Sequence, residues 1–130
     1  AFLSNGNVHI EACRLVLLRA KACEMLCDQN PKLLEHASSA FLVGLVSGAE
    51  ILLKVPVSNF LGQVNLSDDV SLAVLENEGE LGGVLDAVCA LEHVITQEPQ
   101  KIANTSEEIL NTYQEASEWV TEVIKTLKNE

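Results

Sequence analysis

Thirteen consecutive residues, Ala37 to Ala49, carry no charged side chain. The run then continues through Glu50 into Ile51-Leu52-Leu53. Placed on a helix, its apolar residues fall on all sides, so no wet face can be drawn. A helix of that kind is buried on most sides. Ser38, Ser39, Ser47 and Glu50 interrupt it, and it falls short of the roughly 20 apolar residues that a bilayer requires. The pattern predicts a central helix over about 35–54 inside a soluble helical domain. Gly44 and Gly48 lie four apart on one face of it. In a bilayer that spacing favours helix pairing. Here it predicts a tight internal crossing against a neighbouring backbone.

The remaining chain reads as helices on either side. Ser4-Asn5-Gly6 is a turn signal, and Asn7 is placed to cap a first helix over about 8–27. Its apolar set holds Ile10, Cys13, Leu17 and Ala20, with Arg14, Arg19, Lys21 and Glu24 marking a wetter side. Asn30-Pro31 suits a cap followed by a first turn. Pro56 disfavours helix at Val55. A short helical piece is expected at 57–61, released by Gly62. Ser67 is a good N-cap, and Asp68 and Asp69 sit where negative charge suits a helix start. That helix runs to about Asn77, and Gly79 breaks it. Leu81, Leu85, Val88, Cys89 and Leu91 define another to about Thr96, with Gly82 and Gly83 expected to permit a close contact at its first turn. Thr105-Ser106-Glu107-Glu108 reads as a capping box for a last helix over about 106–128. There Ile109, Tyr113, Ala116, Val120, Val123 and Leu127 form an apolar stripe, flanked by Leu110, Trp119 and Ile124. No run alternates long enough to need a strand. The expected architecture is all-α: one domain over 1–130, a compact orthogonal bundle of five to six helices around the helix at 35–54.

Charge narrows the class of function. Residues 1–60 hold five basic and five acidic side chains, whereas residues 61–130 hold three basic against fourteen acidic. The whole formal charge of −11 therefore sits in the second half. That argues against nucleic acid, whose phosphates demand Lys and Arg, and against an anionic membrane surface. It leaves either a solvated acidic face or a surface for a basic partner. The opening lacks a signal peptide, and the start at Ala1-Phe2, without Met, suggests a piece excised from something longer. Cys13, Cys23, Cys27 and Cys89 fall at no metal-site spacing and read as buried cytoplasmic thiols.

A catalytic constellation is hard to assemble. His9, His36 and His93 are not followed by Asp, and Glu35-His36 and Glu92-His93 are pairs of helix neighbours that do not share a face. Aspartate occurs only at 28, 68, 69 and 86. Gly79-Glu80-Leu81-Gly82-Gly83 puts a carboxylate where a phosphate would sit. Neither a metal nor a cofactor is expected.

Several segments in order resemble one known family: Arg19-Ala20-Lys21-Ala22-Cys23-Glu24-Met25-Leu26, then Ala40-Phe41-Leu42-Val43-Gly44-Leu45-Val46-Ser47, then Leu66-Ser67-Asp68-Asp69-Val70 and Leu75-Glu76-Asn77-Glu78-Gly79-Glu80-Leu81-Gly82, with Tyr113, Ala116 and Trp119 near the end. Over about residues 10–127 the chain resembles the C-terminal half of the HDOD domain, in the branch found behind an EAL domain in cyclic-di-GMP phosphodiesterase-like proteins. The resemblance implies a fold similar to HD phosphohydrolases without their metal-binding His and Asp, and a regulatory role in bacterial signal transduction. Catalysis would belong to the EAL domain, whose Glu-Ala-Leu motif is absent here. The resemblance implies an upstream domain of the same protein, or another signalling protein, as partner, with homodimerisation through a face left by the missing half. The alternatives are a degenerate HD-type metal phosphohydrolase and a simple oligomerisation unit. The expected contact surface is Phe60, Trp119, Glu118 and Glu122.

Overall fold

The computed structural model of the chain describes residues 2–61 and 64–128; the side chains of residues 2–9, Ile51 and Phe60 lie outside the description. The described chain is helical with no strand. Helix α1 spans Phe2–Asp28, α2 Ala37–Leu53, α3 Ser58–Leu61, α4 Asp68–Glu76, α5 Gly79–Gln97 and α6 Glu107–Lys128. Two 3-10 helices, Leu34–His36 and Pro99–Asn104, lead into α2 and α6. The all-α bundle expected from the sequence is what forms. Among the described residues no helix is long and apolar enough to cross a membrane.

Helix α1 begins earlier than the turn signal suggested. Ser4-Asn5-Gly6 and Asn7 lie inside it rather than ahead of it. A single Gly costs a helix only about 1 kcal/mol, whereas each residue added to a nucleated helix gains a backbone bond. At its other end the chain turns as the sequence indicated. The Lys32 amide donates to Asn30 Oδ1 at 3.0 Å, and the Leu33 amide donates to the Asn30 carbonyl at 2.8 Å. Helix α2 closes on Lys54 in the left-handed region, φ 58°, and Glu50 Oε1 accepts the Val57 amide at 2.7 Å. The chain beyond Pro56 is thereby tied back to α2, and Val57 is buried. The release expected at Gly62 lies outside the described residues.

Helices α1 and α2 cross where the glycines predicted. A β-carbon built on Gly44 would stand 2.6 Å from the Ala20 α-carbon and 3.0 Å from the Arg19 carbonyl oxygen. One built on Gly48 would meet Val16 Cγ1 at 3.0 Å. Ala20, Val16, Ala40 and Val43 line this contact and are buried. Burial is shared between the two helices. Helix α1 packs against α2, α5 and α6, whereas α2 packs against α1, α4 and α5. The face of α2 turned to α1 is sealed, while Leu42, Leu45 and Val46 on its other sides remain half-buried.

Helix α4 opens on Ser67, whose hydroxyl accepts the Val70 amide at 3.5 Å. It closes on Asn77 at φ 56°, and Gly79 follows at φ 79°, so two left-handed residues turn the chain into α5. That corner leaves no room beside Gly82, where a β-carbon would fall 2.3 Å from the Asn77 carbonyl carbon. Gly83 has nothing within 4 Å and needs no close contact.

Helix α6 departs from expectation in two ways. It starts at Glu107, and the first intrahelical bond runs from the Leu110 amide to the Ser106 carbonyl, 3.1 Å. Ser106, not Thr105, is therefore the residue flanking the helix. The Thr105 hydroxyl instead donates to the Lys101 carbonyl at 3.2 Å, closing the preceding 3-10 turns. The buried line is also rotated, to Thr112, Ala116, Val120 and Ile124, and Leu127 is exposed. Small side chains let α6 lie close on α1. Thr112 is tolerated there because its hydroxyl is 2.8 Å from Gln29 Oε1 and 2.9 Å from the Glu108 carbonyl.

The crossing yields a paired expectation. Gly44→Ala lowers stability by about 1–3 kcal/mol, because backbone rather than a movable side chain stands in the way. Gly83→Ala raises it by up to about 1 kcal/mol through helix propensity alone. Urea midpoints read both, and a parental midpoint for Gly44→Ala would refute the close crossing.

Candidate functional site

Among the described residues a part-buried polar constellation joins three helices. Arg19 lies in the middle of α1, where α2, α5 and α6 surround it, so the wetter side expected there is largely covered. Its side chain is 16 % exposed and that of Glu92 is 24 % exposed. Arg19 donates through Nε to Glu92 Oε2 at 2.9 Å and through Nη2 to Glu92 Oε1 at 2.7 Å, a two-pronged contact. Nη1 donates to Ser47 Oγ of α2 at 3.3 Å, and the Ser47 hydroxyl donates to the Gly44 carbonyl at 3.1 Å. The hydrogen bonds to Glu92 push the Arg19 pKa up, against the opposing effect of burial. A bidentate guanidinium–carboxylate pair of this geometry fixes orientation as well as charge.

Sequence reading missed this pair, although a signal was present. Glu92 falls on the line of Leu85 and Cys89 in α5, and Arg19 on the line of Leu15 and Ala22 in α1. Opposite charges placed on two apolar stripes are a pairing signal.

The groups around the pair are chemically quiet. Arg19, Cys89, Glu92, His93 and Tyr113 border an open cavity of about 380 Å³. Cys23 is sealed, and burial pushes its thiol up to about 12, with Arg19 pulling weakly the other way. Burial raises Cys27 and Cys89 as well. Reactive cysteines need lowered pKa values and some exposure, so these thiols fill space. Burial pushes Tyr113 up to about 12, away from the range in which it could serve as a base.

The histidines are dispersed. His36 precedes α2, with Nε2 at 3.3 Å from Glu80 Oε2 and 3.6 Å from Glu35 Oε1. His93 lies exposed on α5, 3.7 Å from Glu98 Oε1. The side chain of His9 lies outside the description. Among the described residues no three His, Cys, Asp or Glu side chains are grouped to hold a metal ion.

The residues expected to form a contact surface are partly brought together. Trp119, Glu118 and Glu122 share the outer part of α6. Trp119 is 36 % exposed and meets Phe41 of α2 edge to face, ring centroids 6.3 Å apart at 86°. Lys21 Nζ sits 4.6 Å from its ring centroid and 2.6 Å from Glu24 Oε1. The tryptophan is thus half core and half surface. Glu118 is exposed, and Glu122 accepts from Lys125 at 3.4 Å. Phe60 belongs to α3, but its side chain lies outside the description.

With this geometry in hand, comparison with known proteins gives two similarities. The chain is 37 % identical over 76 residues to the cyclic di-GMP phosphodiesterase CdgJ of Vibrio cholerae serotype O1, a match covering 58 % of this chain and 17 % of that protein. It is 27 % identical over 111 residues to the uncharacterized protein YuxH of Bacillus subtilis strain 168, covering 84 % of this chain and 27 % of that protein. The chain therefore spans between a sixth and a third of the curated relatives it matches. No family model matches the chain, and no solved structure matches it.

Two stability measurements test the constellation. Glu92→Ala leaves Arg19 half-buried without its carboxylate and costs about 1–3 kcal/mol; Glu92→Gln, which keeps one acceptor, recovers part of that. A loss under about 0.5 kcal/mol, the range of ordinary surface changes, would reduce the pair to a surface contact. Alkaline titration tests the thiols. An unfolded Cys23 ionises near 9 and the folded one near 12. The folded state therefore keeps a proton that the unfolded state gives up. Its stabilising effect is complete below pH 9 and is lost as pH rises toward 12, at up to about 1.4 kcal/mol per pH unit for each such group. Cys23→Ala should flatten that decline, seen in urea midpoints taken at pH 8 to 11.

Proposed function

We propose that the chain is a non-catalytic regulatory module of a bacterial signal transduction protein, attached to a cyclic-di-GMP-related EAL domain and acting in the cytoplasm through protein–protein contact. The observation that carries this reading is the dispersal of its reactive side chains. The described histidines stand apart, burial raises the Cys23, Cys27 and Cys89 thiols, and the best-placed charge pair holds α1 to α5. The similarity to a segment of a cyclic di-GMP phosphodiesterase supplies the signalling setting. The resemblance to the HDOD domain supplies the regulatory role. The partner is an upstream domain of the same protein or another signalling protein.

Two assays test the proposal together. The purified chain, offered cyclic di-GMP with magnesium or manganese, should give no turnover above the blank. In the polypeptide that carries the chain, deleting residues 1–130 should change the turnover or nucleotide affinity of the EAL domain. Hydrolysis by the chain alone, with about one metal equivalent bound, would replace the reading with an HD-type phosphohydrolase. Unchanged turnover with a concentration-dependent mass would leave a simple oligomerisation unit.

A further inference from the structure

We propose that a trough running from α4 across the start of α5 to the start of α6 is the docking groove for a basic amphipathic helix. The inference rests on the regulatory reading above and names the chemistry of the partner. Three depressions adjoin one another there, of about 340, 180 and 470 Å³. Leu72 lines the first two and Glu80 the last two, so each depression borders the next. The floor is apolar. Leu72 and Leu75, three apart on α4, are 47 % and 48 % exposed, and Leu33, Val84 and Ile109 continue the floor at the far end. Such a strip accepts the i, i+3, i+7 anchors of an amphipathic helix.

The rim determines which helix. Asp68, Asp69, Glu76, Glu78, Glu80 and Glu108 border the trough, and no Lys or Arg lines any part of it. Its one titratable base, His36, already faces Glu80 and Glu35. Among the described residues the other five rim carboxylates make no salt bridge within the chain. Folding does not account for all of them. Asp68 and Asp69 suit the start of α4, but Glu76 ends that helix, where negative charge opposes the helix dipole. A partner carrying Lys and Arg on both flanks of a leucine stripe would satisfy the floor and the rim together.

The test uses a fluorescein-labelled helical peptide of about 18 residues, five turns, with leucines at i, i+3, i+4 and i+7 and Lys or Arg at the flanks. A second peptide keeps the leucines and carries Glu at the flanks. Fluorescence anisotropy with the intact 130-residue chain should show the basic peptide binding at least about tenfold tighter than the acidic one, and weakening as salt rises from about 0.05 to 0.5 M. The double change Leu72→Ala and Leu75→Ala, at exposed positions, should weaken binding about tenfold, as should Glu76→Lys with Glu78→Lys. Thermal melts of both variants establish that they remain folded, and either one alone suffices for the test. Equal binding of the two peptides, binding indifferent to these substitutions, or no binding at about 100 μM would overturn the proposal. So would a concentration-dependent dimer that Leu72→Ala abolishes, which assigns the trough to a second copy. A failed peptide with an EAL domain still responsive to the module would sink the trough alone, whereas hydrolysis by the chain would sink the regulatory reading alone.

Discussion

The approach of α1 and α2 at Ala20 and Gly44 sets the geometry of everything else. Backbone meets backbone there, with no side chain to adjust the spacing. Two helices that close share one orientation, and the elements that pack on them inherit it. The interior around the crossing is built from Ala, Val and Cys rather than large aromatics. Close-packed interiors of this kind tolerate little change in volume. Cys23 and Cys27, fully buried between helices, are best understood as small apolar side chains whose thiols are held neutral by their surroundings.

The Arg19–Glu92 pair performs for α5 what the glycines perform for α2. Hydrophobic packing alone is weakly directional, but a forked guanidinium engaging both carboxylate oxygens has one geometry. Such a pair contributes modestly to net stability, because desolvation offsets attraction. Its effect is orientation: it places one line of α5 against α1 and leaves Leu81, Val84, Leu85 and Val88 facing the core. The opposite end of α5 then meets α4 across the tight corner at Asn77 and Gly79. Hence the acidic residues of α4 and the first turn of α5 gather on one side of the bundle, around exposed leucines.

The parts of this arrangement legible in the sequence were those decided locally. The uncharged run at 37–49, the glycine pair within it and the Ser67 cap each depend on residues a few positions apart, and each reads directly. The start of α1 was misplaced because Ser4-Asn5-Gly6 is a turn signal only when no established helix runs through it. The rotation of the buried line on α6 from Tyr113 and Leu127 to Thr112 and Ile124 depends on which helix lies opposite. Thr112 is buried where Gln29, 83 positions away, lies within reach of its hydroxyl. Thr105 looked like a cap because nothing in the sequence announces that the residues before it are 3-10 turns needing a donor of their own. Of the expected contact surface, Trp119 with Glu118 and Glu122 follows from α6 alone. Arg19 reads from the sequence as part of a wetter side, and its pairing with Glu92 emerges only once α1 and α5 are set side by side.

Ser47 gives these elements a mechanical property. Its hydroxyl accepts from Arg19 and donates to the carbonyl of Gly44, so one oxygen fastens the ion pair to the close crossing. Turning α1 by a single residue would swing its side chains by about 100°. Arg19 would leave Glu92 and Ser47 as the Ala20 notch left Gly44. Neither contact can slip while the other holds. Helix α1 is therefore registered to its neighbours at two linked points, the ion pair to α5 and the close crossing with α2.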